Sequence, residues 1–374
     1  MEIISPEAFR EMIERLGRLN AVREIDTSIK TDGDACAYIW LHVQNCLQNR
    51  EKGSAARILW GDRLFNHRPE AVRRVWKAVD TQPKVLVQGG GSLGKSYTII
   101  GWMFLDWLGD PYYTSGKILS TTGKHAHANV FSTLIRFHKA ACVPLPGVPT
   151  AKYMGLDSIE KKSGIEIIAI PAGDEGHGRL QGFHPDPREQ IHPIWGESSR
   201  CRVFLDECEE IPNGVWPGVD NFLGSRTGPD TVKAMGAYNP KDITSRTANL
   251  AKPIGGWEMF DVETGVKGKD EWMSEEGWFV VRLDGKKTEN VRQRKVVFHG
   301  MQTFEGYRDL EGKNGGESPE LYTFGRGAHP PTGVNAAIIT QFILSRARGE
   351  FEFIGRPDNY GALDTAVDGR DAAA

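Results

Sequence analysis

Apolar residues are distributed in two different ways along this chain, and the change comes near residue 84. In the first stretch they recur every three or four positions. Phe9, Met12, Ile13 and Leu16 share one face at that spacing; so do Ile39, Val43, Cys46 and Leu47, and Val72, Val75, Trp76 and Val79. Such spacing predicts three amphipathic helices. Ser5-Pro6-Glu7 gives the first of them a capping hydroxyl, a proline in the first turn and an early acid, and Pro69 starts the third. From Lys84 the apolar residues come in short runs instead: KVLVQ at 84–88, KILST at 117–121, IEIIAI at 165–170, RVFLD at 202–206 and TVKAMGA at 231–237. Runs of this length, apolar on both sides, suit strands covered on both faces of a parallel sheet. The intervening segments are long enough for right-handed crossovers. The expected organisation is therefore an N-terminal helical segment over 1–59 and an α/β sheet domain over 60–250.

After about residue 250 the chain turns polar and glycine-rich. It holds WFVVRL at 278–283, a basic stretch KKTENVRQRK at 286–295, a Gly/Pro-rich region over 311–334, and a helix-like segment at 336–348. Residues 251–355 read as a linker or subdomain of the sheet domain. The basic stretch could touch a phosphate backbone or form a solvated hairpin.

Composition narrows the class. The 374 residues are 39% hydrophobic and 25% charged, enough for one large domain or two smaller ones. A net charge of -3 argues against a uniformly cationic surface, so any nucleic-acid contact would be a local patch. No run approaches the roughly 18 apolar residues of a membrane span. The N-terminus lacks the basic start and long apolar centre of a signal peptide. Cys36, Cys46, Cys142, Cys201 and Cys208 are odd in number and contain no C-x-x-C pair, which fits a reducing compartment and no zinc site.

The chemistry begins with GGGSLGKS. Gly89, Gly90, Gly91, Ser92, Leu93, Gly94, Lys95 and Ser96 fit G-x-x-x-x-G-K-[ST] between an expected strand, 84–88, and an expected helix, 96–108. Glycines there let successive backbone N–H groups turn toward one anion at a helix N-terminus. Lys95 would reach the β- and γ-phosphates of ATP, and the Ser96 hydroxyl would bind Mg²⁺. RVFLDE at 202–207 supplies the acids: Asp206 to position the Mg²⁺, and Glu207 to orient and deprotonate the attacking water. Glu209 and Glu210 read as solvated acids opening the next segment.

Other motifs are less decisive. STTGKHAHANVF at 120–131 is a strand end, a turn and a helix, either a plain connection or a point that contacts nucleic acid or relays motion. His125, His127 and His138 have no carboxylate or cysteine at ligand spacing and read as exposed helix histidines. Arg179, in GHGRLQGFHPD at 177–186, is a candidate arginine finger offered to a neighbouring subunit, with Arg200 second. Tyr238, Asn239 and Pro240 end the fifth strand; Asn239 could sense the γ-phosphate, or Asn-Pro could be only a turn.

In this order the motifs GGGSLGKS, STTGKHAHANVF, RLQGFHP, VFLDE, AYNP, GRGAHPPTG and GALDTAVDGRD resemble the large terminase subunit of tailed bacteriophages, over roughly residues 60–374. The nucleotide motifs are shared by P-loop ATPases at large; AYNP and the tail are the more specific part. The resemblance implies a P-loop NTPase fold of the ASCE type, a mostly parallel sheet flanked by helices, with an N-terminal helical segment and a C-terminal linker. It implies an ATP- and Mg²⁺-dependent motor moving double-stranded DNA into a procapsid in the host cytoplasm. Its partners would be a portal protein and a small terminase subunit, and it would form a homo-oligomeric ring with no membrane contact. Residues 356–374 would be the first strand of a truncated RNase H-like nuclease and Asp364 its first metal ligand, with Asp368 and Asp371 nearby; the remaining acids are not in this sequence, so DNA cleavage is not expected of it. Two positions depart from the family pattern: Gly91 stands where many terminases carry arginine, and the segment 65–76 lacks the usual adenine-contacting glutamine. A helicase-like ATPase and a nucleotide-gated binding module are the alternatives.

Overall fold

The computed structural model describes residues 5–64, 68–157, 162–170, 178–185, 199–228, 230–312 and 318–330. Five helices precede the first strand: α1 (Pro6–Leu16), α2 (Arg18–Ile25), α3 (Asp32–Gln48), α4 (Lys52–Leu64) and α5 (Glu70–Thr81). The three predicted helical faces lie on α1, α3 and α5. The Ser5 hydroxyl accepts from the Ala8 amide (3.2 Å) and caps α1, with Pro6 in its first turn. Two helices beyond the predicted three complete the layer, one only eight residues long and the other kinked at Gly61.

The strands are β1 (Lys84–Gly89), β2 (Thr114–Ser120), β3 (Val148–Pro149), β4 (Tyr153–Asp157), β5 (Lys162–Ala169), β6 (Arg200–Asp206), β7 (Val232–Tyr238), β8 (Phe260–Asp261), β9 (Gly265–Val266), β10 (Glu271–Met273) and β11 (Phe279–Leu283). β8 and β9 pair alone; the other nine form one sheet in the order β10-β11-β1-β7-β6-β2-β5-β4-β3. From β11 through β5 every pairing is parallel, while β10 and the β4–β3 hairpin are antiparallel margins. The fold is thus α/β, with a large, mostly parallel sheet flanked by helices. The sheet does not stop at residue 250: β11, from the run at 278–283, pairs with β1 in register from Val85↔Phe279 to Gly89↔Leu283.

Alternation along each strand feeds two cores. Val85 and Val87 of β1, with Phe204 of β6, face the layer built from α1–α5 and α6 (Lys95–Gly109); Leu86, Val203 and Leu205 face the opposite layer with Trp216, Phe222 and Trp278. Helix α6 is buried continuously from Thr98 to Leu108, as the central helix of a two-faced sheet must be. Among the described residues no helix is long and apolar enough to cross a membrane. The described cysteines are all free thiols.

Candidate functional site

Parallel strands deliver their C-terminal ends to one edge of the sheet, where crevices form. β1 ends there in the loop that leads into α6, β6 ends in Asp206, and β7 ends in Tyr238. The loop turns through left-handed backbone at Ser92 (φ 55°) and Gly94 (φ 70°). Gly94 is the residue just before α6, where such a φ favours glycine.

The two predicted halves of the site meet directly. The Ser96 hydroxyl donates to Asp206 Oδ1 at 2.5 Å, across 110 residues of sequence. Asp206 is 1% exposed. Its other oxygen, Oδ2, lies 3.0 Å from His125 Nε2. The Asn129 side-chain amide is 2.9 Å from His125 Nδ1, so the tautomer carrying hydrogen on Nε2 is the one that donates to Asp206. The hydrogen bond to Asp206 raises the His125 pKa against its partial burial. His125 is therefore part of the site, and not the exposed helix histidine expected from its spacing; His127 is exposed as expected, and His138 is half-buried. Among the described residues no three His, Cys, Asp or Glu side chains converge as a metal cage. A hydroxyl beside one buried carboxylate is instead an all-oxygen donor set that suits Mg²⁺, which keeps most of its shell as water and phosphate.

Lys95 is turned back on the loop. Its ammonium donates to the carbonyls of Gly89 (2.9 Å) and Gly90 (2.7 Å) and to Asn239 Oδ1 (2.8 Å). Burial lowers its pKa to about 8, opposed by the charges of Asp206 and Glu207. Asn239 thus touches the loop lysine directly. Tyr238 beside it is buried and donates to Gln88 Oε1 (2.6 Å), while the Pro240 carbonyl accepts from the Thr323 hydroxyl (3.1 Å).

Glu207 stands in left-handed backbone, φ 51° and ψ 48°. For a residue with a Cβ this costs about 1–3 kcal/mol, and such strain gathers at functional positions. The turn leaves the Glu207 side chain 43% exposed and 3.9 Å from His125 Nε2. Glu209, two residues on, is not the solvated acid expected. Its carboxylate accepts from the amides of Lys241 (3.1 Å) and Asp242 (3.0 Å). Glu210 is exposed as expected and pairs with Lys241 at 2.5 Å.

A strap from the far end of the described chain crosses the loop. The Gly91 amide donates to the Phe324 carbonyl (3.0 Å), the Gln302 amide donates to the Ser92 carbonyl (2.8 Å), and the Gln88 side chain donates to the Gly327 carbonyl (2.9 Å). A Cβ on Gly90 would sit 2.2 Å from the Phe324 oxygen. Gly90 is therefore required by the protein's own packing, whatever binds the loop.

Arg179 is exposed, and its carbonyl accepts from Lys117 of β2 (3.1 Å). Arg200, the second candidate finger, is buried and not exposed toward a neighbouring copy. It opens β6 at the end opposite Asp206, about 20 Å away by strand rise. There it is buried, donating to Thr114 Oγ1 (2.9 Å) and to the Asp106 carbonyl (3.2 Å). The basic stretch 286–295 contains two short helical turns, Gly285–Lys287 and Glu289–Arg292, where a hairpin was one expectation. Asp364, Asp368 and Asp371 lie outside the described residues. Neither a protein-family model nor a curated protein matches this chain.

Proposed function

We propose that this chain is a P-loop NTPase that hydrolyses ATP with Mg²⁺, and that the hydrolysis drives double-stranded DNA as in the terminase large subunits its motifs resemble. One observation carries the ATPase reading: the hydroxyl that closes the phosphate loop is hydrogen-bonded to the acid ending β6. A group at either position alone would bind nucleotide or do nothing; side by side they are the pair that would share one metal ion beside a triphosphate.

Roles follow from position. Backbone amides of Gly89–Ser96, apart from that of Gly91, which the strap's Phe324 carbonyl takes, line the phosphate-binding turn, and Lys95 moves from Asn239 to the β- and γ-phosphates. Ser96 and Asp206 hold Mg²⁺, which when bound offsets phosphate charge. Glu207, exposed beside the metal acid, takes the proton of the attacking water. Asn239 is released as Lys95 engages nucleotide, which makes the end of β7 a reporter of occupancy. The strand order supports the class: β7 lies between the loop strand and the acid strand, the inserted strand of the ASCE type. An arginine finger from a neighbouring copy, with Arg179 the candidate, a ring on the procapsid, and the portal and small-subunit partners rest on the resemblance.

The test is phosphate release from ATP and Mg²⁺, with and without duplex DNA, on the whole chain. Lys95→Ala is expected to lose binding or turnover. Glu207→Gln is expected to bind ATP while turning over at least about a hundredfold more slowly. Turnover of Glu207→Gln at the parent rate removes Glu207 as the base. A parent that binds ATP without releasing phosphate under either condition is a nucleotide-gated binding module. Displacement of a strand from duplex DNA places it with helicases.

A further inference from the structure

Between the turn that carries Glu207 and the turn that carries Asn239 the structure contains a direct bridge. β6 ends at Asp206, Glu207 turns through left-handed backbone, and Cys208–Glu210 form one tight turn. β7 ends at Tyr238, and Asn239-Pro240 lead into Lys241 and Asp242. The Glu209 carboxylate joins the two turns: Oε1 accepts from Lys241 N (3.1 Å) and Asp242 N (3.0 Å), and Oε2 accepts from Lys241 N (3.2 Å). A second bond behind it, Thr247 Oγ1 to the Cys208 carbonyl (3.1 Å), fixes the same turn to the helix Arg246–Ala251.

We infer that Glu209 is a positioning residue: its carboxylate ties the turn that carries Glu207 to the turn that carries Asn239, so that the placement of the general base follows the state of Lys95. This rests on the ATPase reading above. The three hydrogens of the Lys95 ammonium are already donated, to Gly89 O, Gly90 O and Asn239 Oδ1, so reaching phosphate must release at least one of them, and we take Asn239 to be the one released. When it leaves, Asn239 is free to move, and Pro240 has no rotatable φ to absorb the movement. The displacement reaches the Lys241 and Asp242 amides and, through Glu209, the turn on which Glu207 sits. Glu209 touches no substrate atom; its effect is on where Glu207 stands. Charge-assisted bonds to two backbone amides are the strong kind, fit for holding one turn against another.

Two variants of the whole chain separate this from a merely structural role. Glu209→Ala removes all three contacts. Glu209→Gln keeps a carbonyl oxygen where Oε1 stands, able to accept from both amides. For Glu209→Ala the expected result is a fall in kcat of at least about tenfold with the KM for ATP within about twofold, because the phosphate loop is untouched. Glu209→Gln is expected to restore kcat to within about threefold of the parent. Hydrogen exchange at the Lys241 and Asp242 amides, measured on the same proteins, should quicken in the alanine variant and not in the glutamine one. Parent-like kcat in Glu209→Ala overturns the inference, as does a loss shared equally between kcat and KM, or a glutamine variant as slow as the alanine one. If the parent itself releases no phosphate, it is the hydrolysis reading that fails; the exchange data then decide the bridge alone, and unchanged exchange in Glu209→Ala refutes it.

Discussion

At Glu209 two effects pull in opposite directions. Burial raises its pKa to about 7, while the amides of Asp242 and Lys241 and the charge of Lys241 draw it down. A carboxyl that ionises near 7 when folded and near 4.5 when unfolded binds more protons in the folded state between those values. Its contribution to stability is complete below about 4.5 and is lost as pH rises through about 7, some 3 kcal/mol in all. Glu209→Gln has no such loss. Thermal unfolding at pH 5 and pH 8 should show the variant gaining on the parent as pH rises, and an equal gap at both pH values contradicts the assignment. The loop Gly89–Ser96 and the pair Asp206 and Glu207 were legible in sequence because each is a local motif beside a strand. His125 and Glu209 were not, since their partners lie 81 and 32 residues away and only the sheet brings them together. A histidine or a glutamate in a polar run carries no mark of that.

Among the elements, α6 does two jobs. Its first turn carries Lys95 and Ser96, and its buried body carries Asp106 into the base of the sheet. There Arg202 Nε lies 2.9 Å from Asp106 and Lys52 lies 3.3 Å away. Burial alone would raise the Asp106 carboxyl; the charges of Arg202, Arg200 and Lys52 outweigh it and hold the group well below the ordinary carboxylate range. Asp106→Ala leaves those cations buried without their shared anion, which costs about 3–5 kcal/mol. Chemical denaturation should show a loss of that size, and a loss under about 1 kcal/mol means that Asp230, 3.4 Å from Arg202 and 3.5 Å from Arg200, takes over as their anion. The five predicted strands are present because runs apolar on both sides have few other destinations. The antiparallel margins were hidden: β3 has two residues, β10 has three, and β4 contains Gly155. The apolar run that became β11 was visible, but which strand it would join is a property of the whole sheet.

For the whole molecule the boundary inferred near residue 250 is misleading. β11 shields one side of β1 and the strap crosses the loop, so the segment after 250 completes the same sheet and the same site. A chain cut at residue 250 would leave β1 as an unpaired edge beside an uncovered glycine loop. It is expected to aggregate, by light scattering and loss of soluble yield, where a chain reaching residue 330 stays dispersed; a soluble monomeric 1–250 fragment showing the parent's cooperative melt rules this out. The same crossing has a bearing on biosynthesis. Gln88 and Gly327 are 239 residues apart in sequence yet share a hydrogen bond beside the glycine loop. At about 5–20 residues per second, a ribosome needs roughly ten to fifty seconds to make that stretch. Until then the nascent polypeptide holds its glycine loop without the cover it has in the finished molecule.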